Sequence, residues 1–470
     1  MSGPKRSWVQ RINSHDAISH DSIDNLGHDW SRVAGAPGGS PPLRVYLPRS
    51  TADVVTCVHE AKSLGLPMTV RANGHSSNGL VVAEGGTLLL TRYLNQVLAV
   101  DAEALTITVQ PGATNAEVDE HLGGLGLGLR VIGDHAHVTV GGFVSVGGIS
   151  ASSFRHGLFV DTVESLEYVD AEGVVATCTR QSDPAQFDRL ALGLGRYGVI
   201  TAVTIGVERI DKQNTFWHNH RTLHRSLDSF LATATRLLAR PPDDARFMRG
   251  LWIDAGAQGV GQFSLYRTTP ASMPARARDA VAYGFLHGLG FVSGHLPGPV
   301  DRALKYVGVA GIVLSPRYAS VKNAESFSDK ILDSTVGDPT RYLVAIARER
   351  DVADVARRML DVLRRYRTEH GCLKVITLYL KGIRSGYLAR GREGDDRWAE
   401  VLFLVTIDPA HMTPALLDAM AADLDEVCVA TGSFRYMHSH TSRDPALVAR
   451  IDPNAAGGER PPWPPDVLDG

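Results

Sequence analysis

The chain has 470 residues, of which 44 % are hydrophobic and 21 % charged, so disorder over most of its length is excluded. Its 48 basic and 51 acidic residues leave a net charge of −3, which excludes the basic excess typical of proteins that bind nucleic acid or anionic membranes. No apolar run approaches the roughly 20 residues of a membrane span, and residues 1–16 lack the apolar segment of a secretory signal. The four cysteines form no CxxC pair, so we expect no disulfide framework and a cytoplasmic location.

Glycine is enriched in the first half of the chain. There are 47 glycines in 470 residues, about 10 % against an average near 7 %. Twenty of them lie among the 134 positions from Gly65 to Gly198, whereas the other 336 positions hold 27. This density predicts many places where the backbone turns tightly or approaches another group closely.

The first half is predicted to contain short strands and short helices. Ser50 is a good N-cap for a helix that runs to Leu64, and Gly65 is a typical stop. The remaining elements predicted here are strands at 43–48, 67–72, 87–91 and 105–110, a helix at 115–122, two strands within 164–179, a helix at 183–192 and a strand at 197–210.

After residue 210 the predicted elements become longer. Apolar spacing predicts helices at 226–240 and 351–367. Strands are predicted at 246–253, 261–267, 372–380 and 399–407. The predicted order over 225–430 is helix, strand, strand, helix, helix, strand, strand, helix, which is not the strict alternation of parallel βαβ units, so the fold class is predicted to be α+β. Residues 270–337 look rich in loops, and the proline-rich tail at 457–470 is expected to be extended.

One glycine motif has the letters of a dinucleotide fingerprint. Gly193, Gly195 and Gly198 form GxGxxG, but a Rossmann site requires a strand before this motif and a helix after it. Here a predicted helix precedes the motif and a strand follows it. We therefore reject a Rossmann fold.

Three His-x-His pairs raise the alternative of a metal site. They are His135/His137, His218/His220 and His438/His440. Two such histidines on one strand share a face and can ligate a metal. No nearby carboxylate or cysteine cluster completes a ligand set. We therefore interpret these histidines as ordinary structural residues, and no metal is predicted. A metal-dependent hydrolase stays open as an alternative function.

Two segments point to a bound nucleotide-like ligand. Residues 71–76 (RANGHS) follow a predicted strand directly, and such a loop of backbone N–H groups around Gly74 can form a nest for a diphosphate. Residues 134–150 contain two glycine pairs, which would let the backbone pack against a large flat ligand. The hydroxyls of Thr139, Ser145 and Ser150 are candidate donors to its oxygen atoms.

Asp134 is the candidate general base. It is the only carboxylate between Glu120 and Asp161. Unless it is paired, its burial among apolar and ligand surfaces would raise its pKa, which suits a group that accepts a proton.

Together, RANGHS, DHAHVTVGG with GGIS, and LGLGRYGVITAV resemble the FAD-binding domain of the vanillyl-alcohol oxidase / p-cresol methylhydroxylase family. The nearest pattern is that of the cytokinin dehydrogenases, with Val199 in place of the first isoleucine of their last motif. The resemblance covers about residues 40–210. It implies a two-domain PCMH-type fold: an FAD-binding domain at 1–210, a substrate or cap domain with an antiparallel sheet at 211–427, and a C-terminal segment at 428–470 that returns to the FAD domain.

The resemblance also implies roles for individual residues. His75 matches the histidine that in many members bonds covalently to the flavin 8α-methyl carbon, and Asp134 matches the aspartate that takes a proton from the substrate. No cysteine lies within 130–150, so a second covalent link is not expected. The implied cofactor-binding residues are Ala72, Asn73, Gly74, His75, Ser76, Leu80, Thr139, Gly141, Gly142, Ser145, Gly148, Ile149 and Ile200.

The substrate side departs from that pattern. Arg249 stands where the cytokinin dehydrogenases have a glutamate, and a guanidinium suits a carboxylate or phosphate. The alternative for Arg249 is an exposed arginine at a strand edge, which we favour on general grounds. The usual C-terminal motif is also missing, and Tyr436, His438 and His440 occupy that region as weaker candidates for the flavin edge.

The resulting prediction is an FAD-dependent oxidase or dehydrogenase that oxidises a C–OH or C–NH bond of a small molecule. Hydride would pass to flavin N5 and a proton to Asp134, with dioxygen or another electron acceptor reoxidising the flavin. A flavin-fold protein that has lost catalysis is a further alternative. The substrate and the oligomeric state are not predicted.

Overall fold

The computed structural model of the chain describes Leu26 and residues 42–76, 79–83, 85–135, 137–254, 259–293, 316–326, 340–389, 397–442 and 444–452, with only the backbone at 285–293. Most of residues 1–41 and the predicted extended tail at 457–470 lie outside this part of the chain. Within the described ranges, no helix is both long enough and apolar enough to cross a bilayer.

The first sheet has three parallel strands. They are β1 (Arg44–Tyr46), β2 (Met68–Arg71) and β3 (Thr87–Leu90), in the order β1-β3-β2. Helix α1 (Thr51–Leu64) links β1 to β2. The Ser50 side chain accepts a hydrogen bond from the Asp53 N–H at its start, and Gly65 ends it in the left-handed conformation. The predicted cap and stop are therefore confirmed.

The second sheet has six antiparallel strands. They are β4 (Val97–Asp101), β5 (Thr106–Val109), β6 (Leu127–Leu129), β7 (Val163–Val169), β8 (Val175–Thr179) and β9 (Val199–Arg209). The order is β4-β5-β9-β7-β8, and β6 pairs with the end of β9. The helices of this region are α2 (Asn115–Gly123), α3 (Val140–Val146), α4 (Ser153–His156) and α5 (Pro184–Leu190).

The third sheet has eight antiparallel strands. They are β10 (Phe216–His224), β11 (Ala245–Asp254), β12 (Gly259–Thr269), β13 (Tyr318–Ser320), β14 (Thr340–Arg348), β15 (Leu373–Arg384), β16 (Arg397–Ile407) and β17 (Phe434–Arg435), in the order β13-β10-β12-β11-β15-β16-β14-β17. The helices of this part are α6 (Leu227–Ala239), α7 (Met273–Ser293), α8 (Val321–Glu325), α9 (Val352–His370), α10 (Gly386–Ala389), α11 (Pro414–Thr431) and α12 (Pro445–Ile451).

The two faces of the third sheet have different neighbours. Because side chains alternate along a strand, Leu378 and Leu380 of β15 join the core formed with α6, α9 and α11. Tyr379 and Ile383 of the same strand join the core of the six-stranded sheet. The third sheet therefore has helices on one face and presents the other to the first half of the chain.

The mixture of helices and antiparallel sheet confirms the α+β prediction. The predicted order after residue 225 is incomplete, because β13 and β14 lie between the two helices that were expected to be consecutive. Residues 270–337 were predicted to be rich in loops, but α7 occupies Met273–Ser293 near their start. β17 pairs with β14 in the third sheet. The predicted domain boundaries at 210 and 427 stay predictions.

A buried ion cluster joins the two halves beside the junction after β9. Lys212 Nζ lies 2.9 Å from Asp119 Oδ1 of α2 and 2.8 Å from Glu325 Oε2 of α8, and it donates to the Leu129 carbonyl at 3.0 Å. Burial alone would lower the pKa of Lys212, but the two carboxylates raise it above its ordinary value. The lysine is therefore held as a cation between two carboxyl groups that have little access to water.

We expect Lys212→Met to lower the free energy of unfolding by about 3 kcal/mol, because it leaves two buried carboxylates without their cation. Lys62→Met is the control, since Lys62 pairs with Glu172 on an exposed surface and such pairs contribute little. Urea denaturation of the two variants measures the difference. Equal midpoints would show that the buried cluster does not stabilise the junction.

Candidate functional site

The loop after β2 is built around a buried arginine. Arg71 is only 2 % exposed, and its Nη1 donates to the Val81 carbonyl at 3.3 Å. Gly74 has φ +70°, and a Cβ atom at this position would lie 2.6 Å from Arg71 Nη2. Glycine is therefore required both by the backbone conformation and by the guanidinium packed beneath the loop.

The same loop is attached to the segment that contains Asp134. Asn73 Nδ2 donates to the His137 carbonyl at 3.0 Å. The rings of His75 and His135 lie with their centroids 5.6 Å apart. Two segments about 60 residues apart in sequence thus form one wall.

Helix α3 continues this wall. The Thr139 side chain accepts a hydrogen bond from the Gly142 N–H at 3.4 Å at the start of the helix, and Ser145 Oγ donates to the Gly141 carbonyl at 2.8 Å. The loop before β9 docks on the end of α3, where the Leu194 N–H donates to the Ser145 carbonyl at 3.0 Å. Leu194 has φ +56°, an uncommon conformation for a residue with a Cβ atom.

The glycine pairs at 141–142 and 147–148 lie close to other parts of the protein. A Cβ atom on Gly141 would lie 2.6 Å from Pro111 Cβ, and one on Gly148 would lie 2.5 Å from Phe159 Cβ. These glycines make room for neighbouring protein side chains. That the backbone at both pairs also packs against a large flat ligand stays a prediction.

These walls enclose a cavity, here called the central cavity, which also receives side chains from the third sheet. Every predicted cofactor residue except Gly148 lines it, as do Asp134, Tyr436 and His438. The lining residues contributed by the first half that were predicted are Ala72, Asn73, Gly74, His75, Ser76, Leu80, Thr139, Gly141, Gly142, Ser145, Ile149 and Ile200. Gly148 lies behind the wall, where its N–H donates to the Tyr436 hydroxyl at 3.0 Å.

Asp134 is paired with a lysine that was not predicted. Its Oδ2 accepts a hydrogen bond from Lys381 Nζ, which lies 2.8 Å from Glu400 Oε2 on its other side. Lys381 and Glu400 are each 2 % exposed and oppose each other across β15 and β16. All three line the central cavity, so a carboxylate, an ammonium and a second carboxylate form one buried chain.

The pairing reverses the expectation for Asp134. Burial would raise its pKa, but the charges of Lys381, Arg249 and His135 hold that pKa below its ordinary value. The raised pKa expected for an unpaired carboxylate is therefore not found, because the residue is paired. For Glu400 burial prevails over the attraction of Lys381, and its pKa is raised.

Aromatic side chains surround this chain of charges. The Tyr436 and His438 rings lie with their centroids 4.4 Å apart, and His135 Nε2 lies 3.2 Å from the Tyr342 hydroxyl. Burial lowers the pKa of His438 to about 3 and raises that of Tyr379 to about 12. Both groups are therefore neutral near pH 7, and the formal charge of this end of the cavity comes from its carboxylates and cations.

Arg249 is not the exposed arginine that was favoured. It is 4 % exposed and lies on β11, which is an interior strand between β12 and β15. The side chain contributes to the low pKa of Asp134 but is not among the residues that line the central cavity.

The His-x-His pairs do not converge on a common centre. His438 lines the central cavity, whereas His440 lies 3.6 Å from Asp418, so the two side chains face different neighbours. His218 Nδ1 and His220 Nε2 lie 3.1 Å apart on β10. In the part of the chain that the structure describes, no group of three or more histidines, cysteines and carboxylates could hold a metal ion.

Lys381 and Glu400 were missed, although Glu400 lies in the predicted strand at 399–407 and Lys381 directly follows the predicted strand at 372–380. Each is the only charge within an apolar run, VITLYLKGI and WAEVLFLV. A lone charge on a strand buried on both faces requires a partner. The lone charges could therefore have been recognised from the sequence, but the sequence does not show which residue pairs with each of them.

Comparison with known proteins shows what parts of this chain are similar to. Residues 42–179 match the family model described as FAD binding domain. A chain named cytokinin dehydrogenase 1 from Oryza sativa subsp. japonica is 29 % identical over 283 residues, 56 % of this chain and 52 % of the relative. An uncharacterized oxidoreductase, ORF5 in the fasciation locus of Rhodococcoides fascians, is 31 % identical over 217 residues, 46 % and 48 % of the two chains. Cytokinin dehydrogenase 1 from Arabidopsis thaliana is 29 % identical over 209 residues, 43 % and 36 %.

The chain spans about half or less of the length of these curated relatives. The predicted resemblance of its first half to PCMH-type FAD-binding proteins is confirmed. The central cavity suits that cofactor, because the loop at 72–76 offers backbone N–H groups to a diphosphate, and Ile149, Ile200 and Leu402 offer apolar surface to a flat ring.

Gly195 provides a test of this fit. It has φ +77°, and a Cβ atom there would have only Val70 Cβ within 4 Å, at 3.9 Å, so it would project into open space at the cavity wall. We expect Gly195→Ala to lose at least half of its bound flavin, measured as the ratio of flavin to protein absorbance.

Gly85→Ala is the matched control, because Gly85 has φ +64°, is exposed and has nothing within 4 Å of the same position. Both variants carry a similar left-handed strain of about 1 kcal/mol, but only the first adds a methyl group to the cavity. Full flavin content in Gly195→Ala would show that the cofactor does not lie against the cavity wall at Gly195.

Proposed function

We propose that this chain, whose first half contains the FAD binding domain, is an FAD-dependent oxidoreductase that oxidises a C–OH or C–NH bond of a small molecule. The observation that carries the proposal is the position of Asp134 at a cavity wall, paired with a buried lysine, in the same cavity as the predicted cofactor residues. FAD supplies the two-electron acceptor for a hydride. The protein then has to bind the substrate beside it and take the proton that leaves with the hydride.

In this proposal Asp134 is the proton acceptor. A carboxylate held ionised at neutral pH is ready to accept an O–H or N–H proton, and a general base of this kind contributes about 100-fold to 10,000-fold to a rate. The low pKa of Asp134 lowers its driving force as a base, but Lys381 and Glu400 lie next to it and can take the proton onward. His438, which is neutral near pH 7, and Tyr436 form the aromatic wall beside it.

We further propose that FAD is held covalently through His75. The His75 side chain lines the central cavity next to His135, and it corresponds in the resemblance to the histidine that bonds to the flavin. A covalent link would keep the cofactor in place through each cycle of reduction and reoxidation, in which dioxygen or another electron acceptor takes the electrons.

The names of the relatives suggest one substrate class, the cytokinins. Arg249 in place of a glutamate argues for a different one, and we propose that it acts on the site through Asp134 or through an anionic group of the substrate. We retain the two-domain arrangement, with an FAD domain at 1–210, a cap at 211–427 and a returning segment at 428–470, as part of this proposal. The contact of Tyr436 with Gly148 supports it.

The first test replaces the proposed base. Asp134→Asn is expected to slow anaerobic reduction of the flavin by about 100-fold, because the amide cannot accept the substrate proton. The rate is followed as loss of flavin absorbance in a stopped-flow instrument, with a panel of amines and alcohols screened first on the unmodified protein.

An unchanged flavin spectrum in Asp134→Asn serves as the control for cofactor binding. Reduction at the unmodified rate would remove Asp134 from the mechanism. If no member of a broad panel reduces the flavin in the unmodified protein, the alternative of a flavin-fold binding protein is favoured instead.

The second test addresses the covalent link. After acid precipitation we expect a yellow pellet from the unmodified protein and a colourless pellet from His75→Ala, since only a covalent bond survives denaturation. His135→Ala is the matched control, because this ring also lines the cavity and lies beside His75. A colourless pellet from the unmodified protein with flavin in the supernatant would leave FAD bound but not linked. A protein without flavin and with bound zinc would instead favour the metal-dependent hydrolase.

A further inference from the structure

The buried charges beside the central cavity lie in one row across the third sheet. Lys381 of β15 opposes Glu400 of β16. On the other side of β15, Gly250 pairs with Leu380, so the same register carried one residue further sets Arg249 beside Lys381. Cross-strand neighbours share a face of the sheet. From β11 to β16 the row therefore consists of two cations, Arg249 and Lys381, followed by the anion Glu400.

Asp134 joins this row from the first half of the chain. It meets Lys381 Nζ, which also lies 2.8 Å from Glu400 Oε2. The Asp134 side chain is 18 % exposed, whereas those of Lys381 and Glu400 are 2 % and 3 % exposed. The aspartate is therefore the most exposed member of the chain of contacts, and Lys381 lies between it and the glutamate.

We propose that Glu400 is the resting place of the proton that Asp134 takes from the substrate, and that Lys381 passes it on. This inference rests on the proposed oxidoreductase function for the origin of the proton. It concerns two residues that have no counterpart among the motifs by which the family was recognised.

The transfer balances without any further reactant. Asp134 bonds the substrate proton and becomes a neutral acid. Lys381 then donates one proton to Glu400 and accepts one from Asp134, so it begins and ends as an ammonium. The net result is an ionised Asp134, ready for the next substrate, and a neutral Glu400.

The groups around the two carboxyls favour proton transfer from Asp134 to Glu400. Burial raises the pKa of Glu400, whereas Lys381 and Arg249 hold the pKa of Asp134 below its ordinary value against the effect of burial. The charged groups that face Glu400 are Lys381 from β15 and Asp134 from the first half, and the phenol of Tyr436 faces it from the segment after β17. From β14 the opposing residue is Ile346, which is apolar.

The first measurement needs no substrate. We expect an infrared pH titration of the flavin-loaded protein to show a buried carboxylic-acid C=O band that appears as pH falls, and we expect Glu400→Gln to abolish it. In Asp134→Asn the band should remain but appear at lower pH, because the neutral amide no longer repels the Glu400 carboxylate. Loss of the band in Asp134→Asn and its retention in Glu400→Gln would overturn the proposal.

Glu325→Gln is the matched control. Glu325 is also a buried carboxyl paired with a buried lysine, and burial raises its pKa to about 7, but it lies in α8 at the junction cluster and not at the cavity. This variant should remove a separate infrared band and leave the Glu400 band in place.

The second measurement is the pH profile of flavin reduction by a compound found in the substrate screen. In the unmodified protein the rate should fall as pH decreases through the titration of Glu400, because a proton already occupies the resting place. Glu400→Gln should be slower by about 10-fold at high pH, a modest share of general acid–base catalysis, and should lack that acid limb. Lys381→Met should lack it as well.

If Glu400 had only a structural role, Glu400→Gln would reduce the flavin more slowly but would retain the acid limb of the pH profile. This result would overturn the proposal. Failure of every compound in the screen would count against the oxidoreductase function alone, because the infrared titration tests the position of the proton independently.

Discussion

The ion pair between Asp134 and Lys381 is the contact on which the arrangement of the site depends. Asp134 belongs to the half of the chain that carries the cofactor residues, and Lys381 belongs to a central strand of the third sheet. A buried charge without a partner is costly, so each half specifies the position of the other. Glu400 strengthens this constraint, because without Lys381 two carboxylates would face each other in a site largely closed to water.

The walls of the cavity depend on one another in a similar way. Arg71 supports the loop at Gly74, Asn73 joins that loop to the segment of Asp134, and the Leu194 N–H joins the loop before β9 to the end of α3. The last two contacts bridge positions that are far apart in sequence. The cavity is consequently preformed by the protein's own hydrogen bonds, and the glycines permit the close packing that these contacts require.

The sequence predicts what depends on local spacing. The cap at Ser50, the stop at Gly65 and the ordered motifs of the first half are signals within a few residues, and the structure bears out the first two while the family match bears out the third. The pairing of Asp134 with Lys381 spans 247 positions and depends on strand register, which no local pattern encodes. For the same reason the interior position of Arg249 was missed, since a single strand does not reveal whether it lies at an edge.

The charge balance at the cavity explains why such a costly cluster suits the proposed reaction. Arg249, Lys381, Asp134 and Glu400 together are neutral when all four are ionised, so the resting cluster carries no net charge into a site with little water. Accepting a proton gives it one positive charge. A hydride leaving the same substrate carries negative charge to the cofactor, and opposite charges that develop close together in a low-dielectric site stabilise each other. An isolated carboxylate at the position of Asp134 would lose its charge on accepting the proton and would offer no such compensation, whereas this cluster retains its cations throughout.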